Sequence, residues 1–236
     1  INFPNPSAGK LLKYSSISKT DYFGHNLRII GGRLTFDFSI LNFSSEIKQE
    51  NYFDANILLP GCHNVSNAIA ALSVGSYLGL EVNKMIEDLS NFKGIERRFE
   101  RHIENNKIVY IDDYAHHPSE IKATINAVRE LYPKRQIMAV FQPHLFTRTK
   151  YFAEDFADSL SLVDDLILLD IYPAREKPIL GVDSKMLLNL CINSNKSLCS
   201  KDEVLSLISQ RKSDVILTLG AGDISDLVNP IKQILN

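Results

Sequence analysis

The chain has 236 residues, which suits one large domain or two modest ones. Hydrophobic residues make up 44% of it and charged residues 23%, so it has the material for a sizeable globular core. The net charge of −2 argues against nucleic-acid binding and against anionic membrane surfaces, and no apolar run approaches the roughly 20 residues that span a bilayer.

The three cysteines are odd in number and lack the spacing of metal ligands. They predict reduced thiols in a cytoplasmic protein. The chain begins at Ile1 with neither an initiator methionine nor a signal-peptide pattern. We therefore expect it to be a fragment of a longer protein.

The first third of the chain predicts a β-hairpin, a short strand and two helices. Apolar and polar residues alternate along the second hairpin strand, the period of a half-buried strand, and Gly31-Gly32 supplies the positive φ angles of a two-residue turn. Small residues in the first helix predict close packing, and Gly79 is expected to end it. The predicted elements are the hairpin at 26–40, the strand at 56–59, a helix that follows the Pro60-Gly61 turn and ends at Gly79, and a helix over 83–92.

After Gly94, apolar strands alternate with amphipathic helices. Continuous apolar strands predict a parallel sheet covered on both faces. The predicted fold class is therefore α/β, a mostly parallel sheet with helices on both faces, preceded by a smaller part of the chain with a β-hairpin. The boundary is expected near 93–96. Predicted strands are 108–112, 136–141, 166–170, one around Leu198, and 215–219; predicted helices are 118–131, one bearing Phe152, Phe156 and Leu160, one near 183–191, one opened by Ser200, and a last one after Gly222.

Four polar motifs follow these strands. Ligands of open α/β sheets bind beyond the carboxyl ends of the strands, so we expect the four motifs to gather at one rim. They are DDYAHHP (112–118), FQPHLFTRT (141–149), IYPAREKP (171–178) and GAGD (220–223).

DDYAHHP is compatible with a metal site, an acid–base cluster or part of a ligand pocket. Neighbouring residues on a turn rarely all point at one ion, which disfavours the metal. A purely structural interpretation has Asp112 closing the strand and His117 near the N-cap of the next helix. That interpretation leaves Tyr114 and His116 unexplained.

GCHNVSN (61–67) places His63, Asn64 and Asn67 at the start of a helix. Asn64 alone would be explained as an N-cap. Asn67 lies three residues later on the same face, and two amides there can bind the donor and acceptor edge of a purine.

ERRFE (96–100) is either a solvated charge run or a pair of arginines that reaches a phosphate. TLGAGDI (218–224) lacks the third glycine of a dinucleotide-binding turn, because Ser225 stands there. A glycine turn that allows close helix packing is the favoured interpretation. The chain contains neither a P-loop motif nor a G-x-S-x-G nucleophile elbow.

The order of these motifs resembles the Mur ligase family. The resemblance runs from about residue 14 to the end and is most specific between 61 and 180. It rests on GCHNVSNAIAAL (61–72), FKGIERRFE (92–100), DDYAHHPSEI (112–121), FQPHLFTRT (141–149), YPAREKPI (172–179) and LGAGDI (219–224).

The resemblance implies an ATP-dependent ligase of peptidoglycan precursor synthesis. ATP would phosphorylate the lactyl carboxylate of UDP-N-acetylmuramate, and the amine of L-alanine would attack the acyl phosphate. Mg²⁺ would offset the crowded negative charge, with its ligands mainly outside this chain. Residues 1–94 would form the C-terminal part of the central ATP-binding domain, which is therefore a partial α/β domain, and residues 95–236 the Rossmann-like C-terminal ligase domain.

The resemblance also implies roles for individual residues. Leu145 stands where the usual pattern FQPHRYTRT has an arginine. The resemblance implies that this arginine and Arg148 together bind a carboxylate or phosphate, so one of the two is missing here. The alternative to a ligase is a non-catalytic nucleotide-binding or regulatory module of the same fold.

The resemblance to the ligases assigns residues to each part of the site. The implied adenine-side residues are His63, Asn64 and Asn67, the phosphate-side residue is Arg97, the ribose-side residue is Asp113 with Asp112 close by, and the residues at the reacting end are Tyr114, His116 and Arg148.

Overall fold

The computed structural model describes residues 11–31, 33–43 and 47–236. The chain folds as two compact units, residues 1–94 and residues 95–236. Within the described ranges, no helix combines the length and the apolar character needed to cross a membrane.

The first unit is a four-stranded sheet in the order β1-β2-β3-β4, with helices α1 and α2 packed against it. The predicted hairpin is confirmed: β2 and β3 pair antiparallel, and Phe36 and Phe38 are fully buried. Gly31 has the expected positive φ of 57°, whereas Gly32 lies outside the described residues. The elements are β1 (Tyr14–Ser15), β2 (Tyr22–Ile30), β3 (Arg33–Phe43), β4 (Ile47–Ile57), α1 (Cys62–Tyr77) and α2 (Val82–Asn91).

Strand β4 begins well before the short strand predicted near 56–59. The earlier part of β4 is mostly polar and pairs along β3, so no apolar pattern in the sequence predicts it. The close packing of α1 is confirmed, because a Cβ atom at Gly75 would lie 2.2 Å from the Met85 sulfur of α2. Gly79 follows α1 with a φ of 83°, as expected for the residue that ends it.

The second unit is a six-stranded sheet in the order β5-β6-β10-β7-β8-β9. All pairings are parallel except the one between β5 and β6, which confirms the mostly parallel sheet. The elements are β5 (Glu100–Glu104), β6 (Val109–Asp113), α3 (Pro118–Leu131), β7 (Ile137–Phe141), α4 (Phe146–Tyr151), α5 (Ala153–Leu160), β8 (Asp165–Leu168), α6 (Ser184–Leu190), β9 (Asn195–Leu198), α7 (Lys201–Gln210), β10 (Val215–Leu219), a 3₁₀ helix (Asp223–Leu227) and α8 (Val228–Leu235).

Alternate residues of the central strands face two separate cores. Ile111 and Leu217 face a core shared with α3, α5 and α6, whereas Tyr110 and Ile216 face a core shared with α7 and α8. Both faces of β6, β7 and β10 are therefore buried, which explains their continuous apolar sequences.

Two features of this unit differ from the prediction. Strand β5 was not predicted because its sequence ERHIE has a single apolar residue, Ile103, and an edge strand buries little. The single helix expected to bear Phe152 and Leu160 is two helices, broken at Phe152, whose φ and ψ of −116° and 24° are not helical.

Candidate active site

The four motifs that follow the strands of the second unit meet at one rim, as predicted. The Gln142 amide donates to Asp223 Oδ1 at 2.7 Å. The main-chain amide of Leu145 donates to the carbonyl of Tyr172 at 3.0 Å. Arg97 connects the segment before β5 to the loop after β10, because its Nη2 donates to the carbonyl of Gly220 at 2.7 Å.

Arg97 belongs to a buried ion pair rather than to the open surface. Its Nε lies 2.8 Å from Oδ2 of Asp112, whose side chain is fully buried. The Thr218 hydroxyl donates to the other Asp112 oxygen at 2.5 Å. Of the two arginines, Arg98 is the exposed one. Arg97 therefore ties the rim together, which argues against the phosphate contact that the resemblance implied for it.

Asp113 stabilises the turn after β6. Its two oxygens accept main-chain hydrogen bonds from Phe99 and Ala115, each at 2.8 Å. Burial raises the pKa of Asp113, and these two hydrogen bonds oppose that rise. A ribose hydroxyl would have to use the lone pairs that these amides leave, so the ribose role stays a prediction.

Tyr114 and His116 are two partly exposed residues of DDYAHHP. Tyr114 is 36% exposed, and the Arg98 guanidinium lies 5.5 Å from its ring centre. The edge of the His116 ring meets the Tyr114 ring at a centroid distance of 5.1 Å. His116 Nδ1 lies 3.0 Å from the Tyr114 carbonyl oxygen, so one imidazole edge is held by the main chain.

His117 has the structural role that was proposed for it. It is the N-cap of α3, where its Nδ1 accepts the Ser119 amide at 3.4 Å and Pro118 occupies the first helical position. Its ring packs against Phe152 at 4.8 Å. The two adjacent histidines therefore have different tasks.

Arg148 lies on α4, beside His144. Its Nη1 is 3.5 Å from His144 Nδ1, and the His144 ring stacks on Tyr172 with centroids 5.6 Å apart. Burial lowers the pKa of His144, and the charges of Arg148 and His116 lower it further. Because an arginine only donates, a neutral His144 accepts from Arg148.

Glu176 is a rim residue that the sequence analysis missed. It accepts the main-chain amide of Thr147 at 2.9 Å and also the Thr147 hydroxyl, which joins the YPAREKP loop to the start of α4. These two hydrogen bonds lower the pKa of Glu176. Its neighbours Arg175 and Lys177 are exposed, and in the sequence the three look like a solvated charge run.

The glycines of GAGD allow close approach, but not to a helix as predicted. A Cβ atom at Gly222 would lie 2.5 Å from Gln142 Oε1 and 2.7 Å from the Tyr172 ring. One at Gly220, where φ is 143°, would lie 2.8 Å from the Gln142 carbonyl oxygen. The turn therefore packs against the two neighbouring loops of the rim.

The first unit carries the candidate adenine residues at the start of α1. The N-cap is Gly61, with a φ of 93°, so the N-cap role considered for Asn64 is wrong. The Asn64 amide instead donates to the Pro60 carbonyl at 2.7 Å. The exposed Asn67 donates to Asn64 Oδ1 at 3.4 Å, so the two amides lie side by side as predicted, and His63 is exposed in the same turn.

No group of three or more His, Cys, Asp or Glu side chains could hold a metal ion in the part of the chain that the structure describes. All three cysteines are free thiols, with Cys62 exposed and the other two buried. Burial raises the pKa of Cys191 and of Cys199 to about 11.

Comparison with known proteins decides the family. Residues 97–222, just over half of the chain, match a family model described as the glutamate ligase domain of Mur ligases. The chain belongs to the Mur ligase family. The matched range includes all four rim motifs up to Gly222.

Two curated relatives of this Mur ligase chain carry the same name. UDP-N-acetylmuramate–L-alanine ligase of Flavobacterium psychrophilum is 48% identical over 92% of this chain and 47% of its own length. Its counterpart in Parabacteroides distasonis is 42% identical over 96% of this chain and 47% of its own. The chain spans about half the length of the curated relatives it matches.

Solved structures agree with the fold. The crystal structure of UDP-N-acetylmuramate–alanine ligase MurC from Thermotoga maritima superposes with a TM-score of 0.73 and 25% identity, over 93% of this chain and 46% of the other. The α/β architecture of this Mur ligase chain is thus that of its family.

Proposed function

We propose that the intact protein joins L-alanine to UDP-N-acetylmuramate at the expense of ATP, the reaction for which its relatives at 42% and 48% identity are named. The observation that carries the proposal is the rim, where Tyr114 is partly exposed and the rings of His116 and His144 lie 6.0 Å apart, with Arg148 beside His144. A cation, an imidazole and a phenol at one edge suit a reaction that transfers phosphate and forms an amide.

In this proposal residues 1–94 complete the ATP-binding domain, and residues 95–236 form the ligase domain. Asn64 and Asn67 would bind the adenine, because their adjacent amides offer both donors and acceptors. Asp113 would lie on the ribose side.

We assign the phosphate contact to Arg98 rather than Arg97. The two guanidinium groups lie 5.4 Å and 5.5 Å from the Tyr114 ring centre, but Arg97 is also engaged by Asp112 and the Gly220 carbonyl, whereas Arg98 is exposed. An exposed guanidinium can grip two phosphate oxygens without breaking a buried pair.

The chemistry runs in two steps. The lactyl carboxylate attacks the terminal phosphorus of ATP, which gives an acyl phosphate and ADP. The L-alanine nitrogen then bonds to the carbonyl carbon, and phosphate leaves with the electrons of the broken C–O bond. Arg148 would stabilise the charge on the phosphate, and Tyr114 and His116 would hold the acceptor, so catalysis rests on position and charge.

Mg²⁺ would screen the phosphate charges in this reaction. Carboxylate and phosphate oxygens are its usual ligands. Because the described residues form no metal-binding cluster, we assign no metal ligand to this chain.

The test is phosphate release by the full-length protein with ATP, UDP-N-acetylmuramate and a panel of L-alanine, L-serine and glycine. We expect release that requires both the sugar nucleotide and an amino acid. A full-length protein that binds ATP but releases no phosphate under any combination would support the regulatory module instead.

The 236-residue chain alone should not turn over ATP. Its sequence has no P-loop, whose main-chain amides and lysine hold the β- and γ-phosphates. The measurement is phosphate release by the purified chain with both co-substrates present. Steady release above a blank, dependent on UDP-N-acetylmuramate, would contradict the expectation.

Replacing Asn67 by alanine in the full-length protein should weaken ATP binding by about 1–3 kcal/mol, the cost of leaving a buried polar partner unsatisfied. Calorimetric titration with ATP measures the effect, and UDP-N-acetylmuramate affinity should barely change. Asn91→Ala is the control, because Asn91 is also an exposed helical amide of this unit. Unchanged ATP affinity with lower stability would mean that Asn67 serves packing alone.

A further inference from the structure

Glu120 does more than cap a helix. Its Oε2 accepts the main-chain amides of His116 at 3.0 Å and His117 at 3.2 Å, and it lies 3.4 Å from His116 Nδ1. A capping box needs only the amide of the N-cap residue, here His117. The contacts to His116 are additional, and they connect the first turn of α3 to a side chain of the rim.

Helix α7 offers a capping box for comparison. Glu203 occupies the same third helical position and accepts the Ser200 amide and hydroxyl, each at 2.8 Å. No ring of a rim histidine takes part there. The two glutamates therefore share one structural role, and only Glu120 has the second.

The partners of His116 determine its neutral tautomer. Nδ1 lies 3.0 Å from the Tyr114 carbonyl and 3.4 Å from the Glu120 carboxylate, and both of these oxygens only accept hydrogen bonds. The proton of the neutral imidazole is therefore on Nδ1, and Nε2 carries the free lone pair. The His116 side chain is 22% exposed, so the ring remains accessible at the rim.

The Glu120 carboxylate remains ionised beside this ring. Burial alone would raise the pKa of Glu120, but the His116 and His117 amides and the nearby positive charges outweigh burial and lower it. A negative charge next to Nδ1 stabilises the imidazolium that forms when Nε2 accepts a proton.

We propose that Glu120 is a positioning residue, which holds His116 with Nε2 ready to accept a proton from the incoming amine. The inference rests on the proposed ligase reaction. As the amine nitrogen bonds to the carbonyl carbon, one N–H proton passes to His116 Nε2, and phosphate leaves with the electron pair of the C–O bond. Glu120 does not touch the substrate in this step.

The tautomer is tested by two-bond ¹H–¹⁵N correlation spectra of the 236-residue chain, which has six histidines, with His116 assigned through His116→Ala. We expect protonated Nδ1 in the wild type. Glu120→Ala should move the ¹⁵N shifts toward those of the other tautomer, because only the Tyr114 carbonyl then accepts from Nδ1. Glu203→Ala should cost similar thermal stability and leave the His116 signals unchanged. Wild-type His116 shifts in Glu120→Ala would overturn the positioning role, whatever the ligase activity.

The charge is tested in the full-length protein with Glu120→Gln, whose amide oxygen can still accept the amides of His116 and His117 and so preserves the cap of α3. We expect kcat to fall about 10-fold or more, a part of the roughly 10²–10⁴-fold that a positioned general base contributes, with KM for ATP and UDP-N-acetylmuramate unchanged. Glu203→Gln should keep the wild-type kcat. A wild-type kcat in Glu120→Gln would overturn the proposal, whereas an inactive wild type would overturn the ligase function and leave the tautomer result to stand.

Discussion

Replacing Arg148 by lysine in the full-length protein should lower kcat/KM by about 10²-fold or more, the scale of losing one oriented oxyanion donor. Lysine keeps the charge but not the planar fork that grips two oxygens of a phosphate or carboxylate. Leu145, the N-cap residue of α4, cannot bind an anion, so Arg148 would carry work that two arginines would share. His144 Nδ1 lies 3.5 Å from one side of the guanidinium.

The measurement is steady-state ligation of L-alanine by the purified variant. Lys150→Ala is the control, because Lys150 is exposed on the same helix and should leave kcat/KM unchanged. The fold should survive Arg148→Lys, since Arg148 lies outside the hydrophobic core. A wild-type rate would show that another cation supplies the charge, with Arg175 and Lys177 of the neighbouring loop as the candidates.

Replacing Arg97 by alanine should lower the free energy of unfolding of the 236-residue chain by about 3–5 kcal/mol, the cost of leaving one partner of a buried ion pair alone. Asp112 is fully buried, and its remaining partner is the Thr218 hydroxyl. The carbonyl of Gly220 also loses a donor. Urea unfolding followed by circular dichroism measures the loss.

Arg98→Ala is the matched control for this prediction. Its guanidinium is exposed over the Tyr114 ring, a contact worth only about 0.5–1 kcal/mol. In the full-length protein, Arg98→Ala should impair ATP turnover although the variant remains stably folded. Equal stability losses for the two variants would contradict the division of roles between Arg97 and Arg98.

Much of the second unit could be predicted because burial on both faces leaves a direct signal in the sequence. Strands β6, β7 and β10 are continuous apolar runs, and the helix starting at Pro118 was found with its limits intact. Strand β5 escaped because it lies at the edge of the sheet and buries a single apolar side chain. The break at Phe152 escaped because the apolar pattern continues through it, while its ring packs against His117.

The sequence by itself determined the α/β class, the order of strands and helices in the second unit, and the motifs that meet at the rim. Local chemistry carries that information, because apolar periodicity and turn residues act between near neighbours. Only the tertiary structure decided which contacts each side chain makes there. The sequence does not distinguish the neighbouring residues Arg97 and Arg98. In the structure Arg97 binds Asp112 and the Gly220 carbonyl, whereas Arg98 is exposed. The same holds for Glu120, whose contact with His116 depends on how a loop and a helix meet.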